Sequence, residues 1–158
     1  MIRVRYNEKS SCFSVRLFGL GDKIIACKFD TGAVATIITT KRLGVSNEQL
    51  ELLKNYYEKT KIEPKKFYSA TNGEMQGYPV MVANIKIGNV MIDKFYYYIV
   101  LSNDLDKALL GDDFISCCTF NHQSKNDILI TTIDMDSYLL SYKDKVDCID
   151  ISEILMMQ

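Results

Sequence analysis

The stretch FDTGAVATIITT, residues 29–40, sets an acid, a hydroxyl and a glycine directly after an apolar run. That run, Ile24-Ile25-Ala26-Cys27-Lys28-Phe29, has strand composition, and residues 33–38 are again mostly apolar. The carboxylate of Asp30 is therefore expected in an enclosed place, where an acid needs either a compensating partner or a chemical task.

Working outward, Cys12 to Leu17 alternates apolar residues with Ser14 and Arg16, and GLGD (19–22) separates it from the run into Asp30. This is the pattern of a β-hairpin. Downstream, Ser46 stands as an N-cap with Gln49 three residues later, followed by Leu50, Leu53 and Tyr57 at helical spacing. The pattern predicts a helix near residues 46–60, which Pro64 prevents from continuing.

The segment KFYSATNGEMQGYPVMVANIKIG (66–88) carries Asn72-Gly73, a strong two-residue hairpin turn, between stretches of strand composition. Pro79 cannot donate a ladder hydrogen bond, so its strand is expected to be an edge or a projecting one. Gly88-Asn89 repeats the turn theme ahead of a β-rich run at 95–101, in which Tyr96, Tyr97 and Tyr98 should alternate between faces. SNDLD (102–106) lacks the remaining positions of a calcium loop and reads as a solvated turn. LLGDDFIS (109–116) reads as a glycine-punctuated turn or short helix with Asp112 or Asp113 as its cap, and two further strands follow. The sum is a mainly β chain with one clear helix.

With 158 residues, 47% of them hydrophobic, the chain can bury one real core. Its net charge of −1 provides no overall attraction to nucleic acid or to an anionic membrane, so neither is expected as a partner. The densest basic stretch, KTKIEPKK (59–66), reads as a solvated helix end and loop. There is no apolar signal region at the N-terminus, and the longest apolar run is too short to span a bilayer, so a soluble, cytoplasmic protein is expected. Five cysteines without a Cys-x-x-Cys spacing suggest neither a disulfide framework nor a zinc site; they read as small, buried or half-buried apolar groups. The single histidine, His122, lies in a polar segment, which leaves little scope for metal hydrolysis or a His-assisted nucleophile.

DTGAVATII (30–38) resembles the active-site loop of the retropepsins, the single-domain aspartic proteases of retroviruses and their cellular and bacterial relatives. ALLGDDFIS (108–116) is similar to the apolar-apolar-glycine element that threads behind that loop, and SATNGEMQGY (69–78) matches in place and turn chemistry the flap hairpin that closes over substrate. The resemblance runs in the family's order from about Phe13 to Ile133. It implies a closed β-barrel of the acid-protease type with a flap hairpin and one or two helices, in a domain of residues 1–133 followed by a C-terminal tail of residues 134–158.

The resemblance also implies a chemistry. Two carboxylates about 3 Å apart share one proton because both cannot ionise, and aspartic proteases are the type case of that arrangement. One takes a proton from water and the other donates to the amide carbonyl. Asp30 is the implied acid, Thr31 the residue bonding across to a second loop, and Gly32 the residue permitting close approach. Ala33, Thr71, Asn72, Gly73, Met75 and Tyr78 are the implied substrate contacts, and no metal or organic cofactor is required. Only one Asp-Thr-Gly is present, so an active enzyme must be a homodimer with an Asp30 from each subunit, acting on an extended peptide or protein substrate. The alternative is an inactive dimer of the same fold serving as a peptide-binding or assembly module.

The sequence departs from viral members in two places. Those often carry an acid two residues after the motif glycine and an arginine after the later glycine; here Val34 and Asp112 stand there, so that ion pair is not carried over. The flap segment is also poorer in glycine. The tail ends in Ile154, Leu155, Met156 and Met157, which should find a surface on this subunit or its twin; viral members join their subunits through interleaved termini, and the resemblance implies that residues 2–6 and the tail share that task.

Overall fold

A computed structural model of the chain describes residues 2–6, 11–17, 22–69, 73–87, 90–124, 127–142 and 148–156. The strands are β1 (Ile2–Tyr6), β2 (Ser11–Leu17), β3 (Lys23–Phe29), β4 (Ile37–Thr39), β5 (Lys65–Ser69), β6 (Gly73–Ile87), β7 (Val90–Val100), β8 (Ala108–Leu110), β9 (Cys118–Ser124) and β10 (Asp127–Ile133). Between and after them lie α1 (Thr40–Leu43), α2 (Asn47–Thr60), α3 (Asp112–Ile115), α4 (Met135–Tyr142) and α5 (Ile151–Leu155).

Alternation explains the first hairpin. Val15 and Leu17 on β2, and Ile25, Cys27 and Phe29 on β3, point inward, while Arg16, Ile24, Ala26 and Lys28 point out. The two strands pair antiparallel from Cys12↔Lys28 to Leu17↔Lys23. β3 then runs parallel to β8, β8 antiparallel to β4, and β4 parallel to β7. β7 pairs along β6, whose far end returns to β2 at Val15↔Ile87. The order β2-β3-β8-β4-β7-β6 thus closes on itself as a six-stranded barrel, which removes exposed edges from that part of the sheet.

The N-terminal third of β6 overshoots the barrel and pairs with β5 from Lys65↔Gly77 to Ser69↔Gly73. This projecting arm is the hairpin expected around Asn72-Gly73; its register leaves residues 70–72 as the connection, outside the described residues. Pro79 lies just beyond the end of β5. Its carbonyl accepts from Tyr57 Oη at 2.9 Å and so points away from β7, and its nitrogen, on the same side, costs no ladder bond. β1 is held between β2 and β10, with β9 beyond, as an extension of this chain's own sheet.

The helix predicted near 46–60 is α2. Ser46 Oγ accepts from Gln49 N at 3.1 Å while Gln49 Oε1 accepts from Ser46 N at 2.9 Å, a reciprocal cap. Leu50, Leu53 and Tyr57 form its buried face, and Tyr57 stacks on Tyr78 with ring centroids 4.4 Å apart.

The tail contains two short helices that sequence patterning does not announce. Asp134 caps α4 by accepting from Ser137 N and Ser137 Oγ, and the backbone bond from Ser137 is the main influence lowering its carboxyl pKa. Tyr138 on α4 is fully buried; its hydroxyl accepts from Tyr96 N at 2.9 Å and faces Tyr96 O at 3.4 Å, satisfying β7 where β4 no longer covers it. Asp150 caps α5 through Ser152 and accepts from Ala83 N at 2.8 Å on β6. Ile151 and Ile154 join the main core, whereas Leu140 and Met156 stay exposed at 66% and 80%. Of the two surfaces open to the tail's apolar residues, its own subunit takes Ile151 and Ile154.

Cys27 is buried, and Cys117, Cys118 and Cys148 are half-buried thiols, as expected of small apolar groups. Among the described residues no helix is long and apolar enough to cross a membrane.

Two outcomes follow. Ile154→Ala removes a core side chain and should cost about 2–4 kcal/mol in urea denaturation at fixed protein concentration, while Met156→Ala should stay within about 0.5 kcal/mol. Burial pushes the hydroxyls of Tyr57, Tyr97, Tyr138 and Tyr142 above their ordinary pKa of 10.0. Below that value both folded and unfolded chains keep these groups neutral; above it the unfolded chain ionises first. Stability contributed this way is present below pH 10 and lost as pH rises beyond it, so the urea midpoint should begin to fall there.

Candidate active site

β3 delivers Asp30 to the end of the barrel, and its loop is closed by its own backbone. Asp30 N donates to Leu110 O at 3.0 Å, Ala33 N donates to Asp30 O at 3.1 Å, and Gly32 N donates to Asp30 Oδ1 at 3.0 Å. The two backbone bonds fix the main chain at Asp30, and the bond from Gly32 sets the angle of its half-buried carboxylate. A Cβ at position 32 would stand 3.3 Å from Asp30 Oδ1, within the space where that carboxylate accepts its bond.

Behind this loop the chain crosses itself. Asp112 N donates to Ala33 O at 2.7 Å, and Gly111 N donates to Thr36 Oγ1 at 3.1 Å. Thr36, fully buried, donates in turn to Asp113: its N–H to Oδ2 at 3.1 Å and its hydroxyl to Oδ1 at 2.8 Å. Tyr142, from the tail helix α4, also donates its hydroxyl to Asp113 Oδ2. Burial, followed by the neighbouring Asp113 carboxylate, raises the Tyr142 pKa, so that hydroxyl keeps its proton through the neutral range. The expectation that Asp112 or Asp113 would cap the helix is corrected: Gly111 occupies the N-cap position, and Asp113 spends its oxygens on the active-site loop and the tail.

In front of Asp30 lies an open cleft of about 850 Å³. Asp30, Gly32, Ala33 and Val34 form its floor; Lys28, Lys107 and Leu109 stand on one wall; Lys65, Lys66, Phe67, Tyr68 and Met75 overhang it from the β5–β6 arm. Arg42 sits at the side, bonded to Asp106 and to Ala26 O at 2.6 Å. Phe67 meets Tyr98 edge-on at 5.1 Å, which seats the arm on the barrel. Asp30 thus stands at the foot of an open cleft, under the projecting β5–β6 arm.

The fold has a counterpart among solved structures. A retropepsin-like aspartic protease from Rickettsia conorii superposes with a TM-score of 0.52 over 82% of this chain and 88% of that one, at 20% identity. The chain has a retropepsin-like fold. The protease of EIAV, solved with the inhibitor HBY-793, aligns over 68% of this chain and 88% of that chain at 21% identity, with a TM-score of 0.39 that adds no weight. No protein-family model matches the sequence, and no curated protein matches it either.

Within the retropepsin-like fold the residues singled out from sequence divide clearly. Asp30, Gly32, Ala33 and Met75 meet at the cleft. Thr31 is exposed and outside the lining; its hydroxyl has no partner among the described residues of this chain. Gly73 opens β6 with φ +67, a left-handed conformation that favours glycine, and is exposed at the arm's end. Thr71 and Asn72 lie outside the described residues. Tyr78 does not line the cleft: three positions from Met75 along one strand, it faces the opposite way and stacks on Tyr57.

Sequence reading overlooked the Thr36–Asp113–Tyr142 network and the basic lining. KTKIEPKK is not wholly a solvated loop, because Lys65 and Lys66 belong to β5 and overhang the cleft. SNDLD is likewise more than a solvated turn: Asp106 pairs with Arg42, Ser102 O accepts from Thr40 Oγ1 at 2.9 Å, and Asn103 bonds Asn47. The available signal was alternation on β3, which sets Ala26 and Lys28 on the same face as Asp30.

A Cβ at Gly111 would lie 2.3 Å from the backbone carbon of Ala35 and 2.4 Å from its oxygen. Gly111→Ala should therefore displace the active-site loop and cost about 3 kcal/mol or more, measured as a lowered denaturation midpoint.

Proposed function

We propose that the protein is a homodimeric aspartic endopeptidase. The observation that carries the reading is Asp30, held by its own loop and by Leu110 of β8 and standing at the floor of an open cleft under the β5–β6 arm. One carboxylate cannot both accept and donate protons in the same step, and the chain has a single Asp-Thr-Gly. A second copy related by a two-fold axis supplies the missing group. Two features favour that contact: Val34, beside the motif, is 73% exposed, and Thr31 presents an exposed hydroxyl with no partner within the described chain.

In this mechanism a water lies between Asp30 and its symmetry mate, which hold one proton between them. The ionised acid removes a proton as the water oxygen bonds to the scissile carbonyl carbon, and the protonated acid gives its proton to the carbonyl oxygen. Collapse of the tetrahedral intermediate breaks the C–N bond, with a proton delivered to the leaving nitrogen. The peptide lies extended between floor and arm, main-chain hydrogen bonds supplying affinity and side-chain subsites supplying selectivity. The solved structure sharing this fold at a TM-score of 0.52 is an aspartic protease, which supports the same chemistry.

Asp30→Asn should lower kcat by about a thousandfold or more on any cleaved peptide while leaving peptide binding measurable. Adding an excess of that variant to the wild type should poison activity, because mixed dimers hold one acid. Wild-type protein with no turnover on a diverse peptide library would instead favour a noncatalytic peptide-binding module. Ala33 offers no hydroxyl to the dyad, so the pH–rate profile should be bell-shaped with its maximum in the weakly acidic to near-neutral range; a maximum below about pH 3 would contradict the reading.

A further inference from the structure

The proposed chemistry leaves unexplained why the cleft is so basic. Among the described residues five cations line it, Lys28, Arg42, Lys65, Lys66 and Lys107, against two carboxylates, Asp30 and Asp106, in a chain whose net charge is −1. Asp106 is already committed to Arg42, and Asp30 belongs to the dyad. The local excess is therefore positive while the rest of the surface is negative.

Its placement is specific. Lys28 stands on the exposed face of β3, two residues and so about 7 Å of extended chain before Asp30, and both line the cleft. The parallel register Lys28↔Leu109 sets it beside Leu109 on β8, with Lys107 two residues earlier on the same wall. The backbone of Lys107 is fixed by Thr39, whose N–H donates to Lys107 O at 2.9 Å and whose hydroxyl accepts from Lys107 N at 3.0 Å. Opposite, on the arm, Lys65 Nζ is held over the rings of Phe67 and Tyr98 at 5.6 and 5.5 Å. Neither Lys28 nor Lys65 makes an ion pair among the described residues, whereas Lys66 reaches Glu74 at 3.6 Å. Between the charges lie Ile37, Phe67, Met75 and Leu109, so the cleft alternates apolar and cationic surface.

We infer that this cleft selects an extended peptide carrying an acidic side chain among apolar ones close to the scissile bond, with Lys28 and Lys65 as the specificity-determining residues. The inference rests on the endopeptidase reading for the position of that bond; charge selection itself requires only binding. Lys28 and Lys65, on facing walls and without an ion pair among the described residues, attract a substrate carboxylate and repel a substrate lysine, and a cleft with low-dielectric walls concentrates that field.

The test uses three quenched-fluorescence peptides, identical except for Glu, Gln or Lys beside the cleaved bond. Hydrolysis is followed with wild type, and binding by fluorescence anisotropy with Asp30→Asn. The Glu peptide should exceed the Gln peptide by about five- to tenfold in kcat/KM and in affinity, with the Lys peptide weakest. Lys28→Gln and Lys65→Gln should bring the Glu/Gln ratio towards one, and Lys28→Arg should preserve it. Raising salt from about 0.1 to about 1 M, which shortens the screening length from about 10 to about 3 Å, should shrink the ratio. Equal hydrolysis and binding of all three peptides, or a ratio indifferent to salt, overturns the inference and leaves the endopeptidase standing. Glu-selective binding with no hydrolysis by wild type does the reverse: it supports the charge selection and removes the endopeptidase.

Discussion

The molecule depends on one crossing, where the loop carrying Asp30 passes in front of the segment from Leu110 to Asp113. Backbone groups alone bind it at two points, Asp30 N to Leu110 O and Asp112 N to Ala33 O. Between them Thr36 and Asp113 supply a charge-assisted knot in which one carboxylate receives the N–H and hydroxyl of Thr36, the N–H of Phe114 and the hydroxyl of Tyr142. A part-buried carboxylate is costly when it lacks donors, and here four surround it, so the same group that would be a liability fixes the loop. The contact of Gly111 with the Ala35 backbone shows how little room the crossing leaves.

The rest of the architecture serves that crossing. Closing β2-β3-β8-β4-β7-β6 into a barrel keeps β3 and β8 parallel and adjacent, which brings residues 81 positions apart into register at Phe29↔Leu110. β6 can then overshoot the barrel to carry the arm, anchored below by Phe67 against Tyr98 and at its root by Tyr57, which bonds Pro79 and stacks on Tyr78. The tail completes the structure: α4 brings Tyr138 to the uncovered stretch of β7 and Tyr142 to Asp113, so residues outside the barrel help to hold the loop that carries Asp30.

In the proposed endopeptidase, chemistry and selectivity are separate properties of the same cleft. Asp30 is oriented by its own loop and would need only a second copy to make a dyad. On the proposed reading, what enters depends on side chains from three places, β3, β8 and the arm, whose cations are kept apart by apolar residues. The positive lining arises in a chain of nearly balanced charge because alternation on β3 and the register with β8 gather lysines on one face.

Local signals carried much of this in the sequence. The Asp-Thr-Gly after an apolar strand, the reciprocal Ser46–Gln49 cap with Leu50, Leu53 and Tyr57 behind it, and the antiparallel pairings of β5 with β6 and β6 with β7 each rest on signals within a few residues, so their meaning survives without a fold; the turn residues Asn72, Gly88 and Asn89 themselves lie outside the described residues. Tyr78, Asp113, Lys28, Lys65 and the tail helices were not legible in the same way. The face of Tyr78 follows from where β6 leaves the barrel, and the partners of Asp113 lie 77 and 29 residues away along the chain. The lysines become one surface only when three strands are assembled. Short-range chemistry determined the elements and the acid; long-range packing decided which side chains share a cavity, because separations of many tens of residues are closed only by the tertiary fold.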